Sequence, residues 1–254
     1  MIQSVKRVSD ILSLFSFEKH SRGITEISKI IGLPKSTVSS LVKTMSEVGF
    51  LEQDTETKRY RLGPKLFTLG ILVSETLPIN QKAGRIVQDL AEKTGLICRI
   101  AIWDYDAVLI TLNAVPRDAE FLARRIGPRI VAYCTSLGRV LLAYKTKKEV
   151  DNYLVNTKLA PFTPHTINRK NELLHELKLI RQQGYSINNQ ELSIGRASVA
   201  VPVYIGMEAL AAAISLAGDP EQIAGTELKS LVASLQDAAA EISREMGYTP
   251  GMMS

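Results

Sequence analysis

Between Thr25 and Lys43 the chain reads TEISKIIGLPKSTVSSLVK, with apolar residues at helical spacing on both sides of a Gly-Leu-Pro break. Ile27, Ile30, Ile31 and Leu33 form one stripe and Val38, Leu41 and Val42 another, which predicts two short helices joined by a tight turn. The outward side of the second helix carries Lys35, Ser36, Thr37, Ser39, Ser40 and Lys43. Short hydroxyls interleaved with lysines can approach phosphates and base edges closely, as a helix in a DNA major groove must. The pattern is that of a helix-turn-helix, and a helical hairpin with a solvated face would share it. The next residues separate the two readings. In FLEQDTETKRYRL, two alternating runs, Phe50 to Gln53 and Arg59 to Leu62, flank a polar turn holding Lys58 and Arg59. A hairpin with a basic tip directly after a helix-turn-helix is a wing. A preceding amphipathic helix from Gln3 to Phe17, with Val5, Val8, Ile11, Leu12 and Phe15 on one face, would cap this small core.

Pro64 opens KLFTLGILVSET, which ends before Leu77-Pro78, so prolines bracket a helix of about a dozen residues. It is apolar nearly all round, through Leu66, Phe67, Leu69, Ile71, Leu72 and Val73. That is too apolar for a solvated tether, and a linker helix packed on a partner subunit is expected. From Asn80 on, helix and strand patterns alternate. A stripe of Ala83, Ile86, Val87, Leu90 and Ala91 closes at Thr94-Gly95, and LICRIAIWD and AVLITLNAV read as strands. A third strand is expected near Glu120 to Arg125, before Gly127-Pro128. Helices follow from Leu137 to Tyr144, over KKEVDNYLVN behind a Thr146/Glu149 capping box, and from Asn168 to Gln183 with Leu173, Leu174, Leu177 and Ile180 buried. ASVAVPVYI and ALAAAISLA read as strands, and LKSLVASLQDAAAEISREM as a closing helix. Hairpins flanked by helices predict an α+β sheet rather than a doubly wound parallel one. The expected organisation is a winged helix-turn-helix domain over 1–63, a linker helix over 64–77 and a second domain over 78–254.

Charge refines this only slightly. The formal net charge is +5 over 254 residues. Residues 1–63 hold ten Lys/Arg against seven Asp/Glu, so the basic excess gathers at the amino-terminal end. Two cysteines and three histidines show no zinc-like spacing, and no metal or cofactor is expected. No apolar run approaches the roughly 20 residues of a membrane span, and MIQSVKRVSD lacks a signal peptide's apolar centre, so a cytoplasmic protein with no membrane partner is expected.

Seven stretches, in order through both domains, resemble the IclR (isocitrate lyase regulator) family of bacterial transcription factors. They are IQSVKRVSDIL, GLPKSTVSSL, KRYRLGPKL, YCTSLGRVLLA, FTPHTI, IRQQGYSINNQELSIGRASVAVPV and AAISLAG. The resemblance implies a GAF-like carboxy-terminal domain that binds a small effector, and a homodimer or dimer of dimers acting as repressor or activator on a double-stranded DNA operator of a catabolic operon. It also maps an effector site. Thr135, Ser136 and Leu137 would form the turn before a helix, where free N–H groups can seat a carboxylate. Asn188 stands at a loop position often held by Asp, Ser198 where Cys is frequent, Arg196 where an apolar residue is frequent, and Ser215 and Ala217 on the last strand. Asn for Asp and Arg for an apolar residue both shift such a pocket toward anions, so an organic or aromatic acid is expected as effector. Arg196 has the alternative of pointing to solvent or pairing with Glu191.

Other residues carry competing readings. Strand alternation puts Ile97, Arg99, Ala101 and Trp103 on one face, and Arg99 is expected at an edge or subunit contact rather than as a pocket anchor. Trp103 is expected to pack. Cys134 and His165 are expected to be structural, not a nucleophile and its base, because no orienting carboxylate accompanies them. The leading reading is thus a ligand-responsive regulator and not an enzyme. Lys35, Lys43, Lys58 and Arg59 would meet phosphates, and Ser36, Thr37, Ser39 and Ser40 base edges or backbone. The alternatives are an enzyme acting on a small acid with the winged helix as an interaction module, and an architectural DNA binder without an effector.

Overall fold

The structure, a computed structural model, describes residues 1–105, 107–116, 129–207 and 209–249. The chain divides into two compact units, Met1–Thr76 and the remainder from Leu77. The first contains α1 (Gln3–Leu12), α2 (Ile24–Ile31), α3 (Lys35–Glu47), β1 (Leu51–Gln53), β2 (Tyr60–Leu62) and α4 (Pro64–Thr76). Ile11, Ile27, Val38, Val42, Met45, Leu51 and Tyr60 form its core. Gly32 ends α2 at φ +67°, a left-handed conformation glycine adopts without a steric penalty, and the chain reverses into α3. β1 and β2 pair antiparallel, with Leu51 opposite Leu62. A two-way backbone pairing of Arg22 with Tyr60, 2.8 Å in each direction, ties the wing back to the segment before α2.

Two expectations for this unit change. The first helix stops at Leu12, not Phe17: Leu14 and Phe15 donate N–H bonds to the carbonyls of Ile11 and Leu12, three residues back, which tightens the chain into a turn. Val5 is exposed, as is Ile30 on α2, so the buried stripes are narrower than the apolar pattern.

The second unit is an α+β fold whose described residues form a six-stranded antiparallel sheet. Its elements are α5 (Pro78–Thr94), β3 (Ile97–Asp104), β4 (Ala107–Ala114), β5 (Arg129–Ile130), α6 (Ser136–Ala143), α7 (Lys147–Asn156), α8 (Lys170–Gln183), β6 (Ser186–Asn189), β7 (Ala197–Ile205), β8 (Ala209–Gly218), α9 (Pro220–Ala224) and α10 (Leu228–Glu245). The strand order is β5-β4-β3-β8-β7-β6. Period-two alternation sends Cys98, Ile100, Val199, Val201, Ile214 and Leu216 to a core shared with α5, α9 and α10. Ala101, Ala200 and Ala213 point to the opposite core, filled by Val140, Leu141 and Leu142 of α6 and by α7 and α8. Small residues on that face let α6 lie close to the sheet.

The strand expected near Glu120 to Arg125 lies outside the described residues. β6 appears where a loop was expected around Asn188: Ser186 to Asn189 pair with Ala200 to Ala197 of β7. Four residues are too short for a clear period, so only the partner strand reveals this one. Leu174 of α8 is exposed rather than buried.

Candidate functional sites

In the first unit the polar side of α3 faces solvent. Lys35, Ser36, Ser39, Ser40 and Lys43 are exposed and Thr37 half-exposed, while Val38, Val42 and Met45 turn into the core. At the wing tip the Asp54 carboxylate accepts bonds from the Glu56 and Thr57 N–H groups and from the Thr57 hydroxyl. These bonds hold Asp54 below the usual carboxylate range. Lys58, at φ +57°, is exposed on this turn.

Arg59, expected to meet phosphate, is engaged by its own unit. Its guanidinium donates to the Ser21 hydroxyl (3.1 Å), the Ser21 carbonyl (2.9 Å) and the Glu26 carboxylate (2.8 Å). Glu26 also holds Arg22 at 2.5 Å. Burial pushes the Glu26 pKa up, but the hydrogen bonds from Arg59 and Arg22 outweigh this and leave it lowered. Arg59 therefore braces the wing against α2 through Nε and Nη2.

In the second unit a cavity of about 440 Å³ opens between the sheet and α6. All eight residues mapped by resemblance line it: Thr135, Ser136, Leu137, Asn188, Arg196, Ser198, Ser215 and Ala217. Their roles differ. The Thr135 hydroxyl caps α6 by accepting from the Gly138 N–H and donates to the Val131 carbonyl (2.7 Å), so it is occupied by the helix start. The N–H groups of Ser136 and Leu137 stay unshared among the described residues, as first-turn donors do. Ser136 and Ser198 join their hydroxyls at 2.7 Å. Asn188 is buried and anchored at both ends of its amide, which donates to the Cys134 carbonyl (3.0 Å) and accepts from the Glu191 N–H (3.0 Å). An ionised Asp could not donate that first bond.

Arg196 pairs with Asp219 at 3.2 Å, not with Glu191, and lines the cavity's side. Glu191 instead meets Arg139, whose side chain is wholly buried.

For Arg99, sequence reasoning favoured an edge or subunit contact over a pocket anchor. Arg99 sits on β3, a central strand, is 6% exposed and lines the cavity, which overturns the expected edge position. Its Nε donates to Asn113 Oδ1 at 2.8 Å. Burial lowers its pKa to about 10; neighbouring Cys98 opposes the shift and Arg196 adds to it, and the group stays charged at neutral pH. Ile97, Ile110, Ile130, Leu192 and Ile194 complete an apolar lining. Alternation had placed Ile97 and Arg99 on one face; what it could not say is that β8, carrying Ser215 and Ala217, would lie beside them.

Trp103 packs edge-on against Tyr153 with ring centres 5.7 Å apart and carries Lys145 over its face, which makes it a packing residue. Cys134 is buried, and desolvation pushes its thiol up to about 12 despite Arg139 nearby. His165 is exposed and donates its backbone N–H to Thr163, and no hydrogen bond joins it to Cys134 among the described residues.

Comparison with known proteins agrees with this layout. Residues 72–244 match the family described as bacterial transcriptional regulator IclR C-terminal, and residues 4–55 match the IclR helix-turn-helix domain. The HTH-type transcriptional regulator XynR of Escherichia coli (strain K12) is 34% identical over 248 residues, 98% of each chain. An IclR transcriptional regulator from Alicyclobacillus acidocaldarius superposes with a TM-score of 0.85 at 26% identity, covering 97% of this chain and 100% of that one. An IclR homolog from Microbacterium hydrocarbonoxydans, solved with 4-hydroxybenzoate, shares the fold with a TM-score of 0.80 at 23% identity, covering 96% and 98%.

Proposed function

This chain belongs to the IclR family of bacterial transcriptional regulators, and from that premise we propose that it regulates a catabolic operon in response to a small carboxylate bound in the α6 cavity. It is a DNA-binding regulator and not an enzyme. The observation that carries the effector reading is the cavity's polarity: two guanidiniums and unshared helix N–H groups line it, and among the described residues no Asp or Glu does.

For DNA, Lys35, Lys43 and Lys58 meet phosphates, and Ser36, Thr37, Ser39 and Ser40 reach base edges or backbone. The exposed polar side of α3 supports this. Two copies, as a homodimer or a dimer of dimers, would present two recognition helices at a fixed spacing in the cytoplasm. The apolar side chains exposed on α4, led by Phe67 at 73%, support that pairing. The effector acts by binding one dimer geometry more tightly than the other, a coupling of typically about 1–3 kcal/mol.

The experiment is a DNA-binding titration on fragments flanking the gene, with and without acids found in a thermal-shift screen. A specific acid at 100 times its dissociation constant adds about 2.7 kcal/mol of stability. An acid that stabilises the protein and moves the DNA midpoint supports the reading. Turnover of that acid, or no response to any acid with DNA binding intact, refutes it.

A further inference from the structure

Two arginines are buried among the described residues of the second unit, and they are treated differently. Arg139 has a carboxylate counter-ion built in, Glu191. Arg99 has none: no described Asp or Glu pairs with it, and its one side-chain partner is the neutral Asn113. Removing a cation from water without a counter-charge is costly, and most buried charges are paired. The charge missing at Arg99 faces a cavity large enough for a small molecule.

A second anion seat lies elsewhere in the same cavity. The unshared N–H groups of Ser136 and Leu137 sit at the positive end of α6, beside the Ser136–Ser198 hydroxyl pair. Ser198 is on β7 and Arg99 on β3, with β8 between them. Two strand spacings amount to about 10 Å. The bond to Asn113 on β4 draws the Arg99 guanidinium further from β7, since β4 flanks β3 on the opposite side. One carboxylate does not satisfy both seats.

We infer that the effector is a dianion, a small dicarboxylic acid with an apolar middle, one carboxylate on Arg99 and the other at the start of α6. Ile97, Ile110 and Leu137 supply apolar lining in the same cavity. The inference rests on the reading of the cavity as an acid site.

The test uses the full-length protein and matched acids of equal chain or ring size: glutarate against pentanoate, adipate against hexanoate, terephthalate against benzoate. Calorimetry should show, in at least one pair, the diacid binding about 30-fold or more tighter than its monoacid, the lower range for a buried charge pair. Arg99→Gln should erase that preference and leave monoacid affinity within a few-fold, and Arg99→Lys, which keeps the charge, should retain part of it. The ligand-free melting temperature of Arg99→Gln should equal or exceed that of the wild type, because an uncompensated charge is gone. Equal binding of diacids and monoacids, equal weakening of both by Arg99→Gln, or a ligand-free Arg99→Gln that melts well below wild type would overturn the dianion and leave the acid site standing. Binding of no acid of either kind would remove the acid site itself.

Discussion

The Arg139 guanidinium and the Glu191 carboxylate, 52 residues apart in sequence, form an ion pair sealed from solvent. Arg139 Nε also donates to the Tyr133 carbonyl at 2.7 Å, and Glu191 accepts from the Ile167 N–H at 3.3 Å. The pair thus joins α6, the segment before α8 and the loop that supplies Leu192 and Arg196 to the cavity.

Removing Glu191 leaves the buried Arg139 with only the more distant Glu176 carboxylate, at 3.9 Å. Glu191→Ala should lower stability by about 3–5 kcal/mol in urea unfolding, whereas Arg139→Leu combined with Glu191→Leu should recover part of that. A loss under about 1 kcal/mol for the single change would show the pair to be solvated.

Lys43 and Arg59 should separate in DNA binding. Lys43→Ala should weaken binding to all sequences alike and reduce the salt slope by about 0.9. Arg59→Ala should leave that slope nearly unchanged and instead loosen the wing, seen as faster amide exchange around Tyr60 and Arg22. A full-unit drop in slope for Arg59→Ala would restore its phosphate role.

Thr146 caps α7 through a reciprocal box with Glu149. Hydrogen bonds from the Thr146 hydroxyl, from Lys145 and from the Thr146 backbone hold Glu149 at about 2, against an ordinary 4.5. A depressed carboxyl stabilises the fold above its unfolded value, and the contribution fades as pH falls from 4.5 toward 2. Thr146→Ala should raise the Glu149 titration midpoint by NMR toward 4.5, cost about 1 kcal/mol at neutral pH and flatten acid sensitivity in that window.

Cys98 and Cys134 are both buried with thiols pushed up to about 12, mainly by desolvation. Neither should react with a thiol reagent at pH 8 until the protein unfolds, so the labelling rate should track unfolding in denaturant. Rapid labelling of native protein would reopen the nucleophile reading of Cys134.

Phe67 on α4 should matter to self-association and, through it, to operator binding. Phe67→Glu should shift the protein toward monomer in sedimentation and weaken operator binding, while leaving the melting of the second unit nearly unchanged. An unaltered oligomeric state would place the subunit contact elsewhere.

Local periodicity determined much of this molecule before any coordinates. The apolar stripes separated by Gly32 and Pro34, the wing runs, the proline-bracketed α4 and the strand over Ala197–Ile205 all follow from patterns within a few residues. The eight cavity residues came by resemblance to a family, not from periodicity. Tertiary structure alone decided what lies beside what. Arg99 was legible as a charge on an apolar strand face, but an edge and a cavity floor look identical until β3 takes its place between β4 and β8. Arg59 has a wing-tip residue's sequence, yet Ser21 and Glu26, 38 and 33 residues earlier, hold its Nε and Nη2 donors. The physical reason is the same in each case. Repeat spacing reports which side of an element is buried, whereas the partner of a buried charge is chosen by contacts between distant segments, and those carry no local signature.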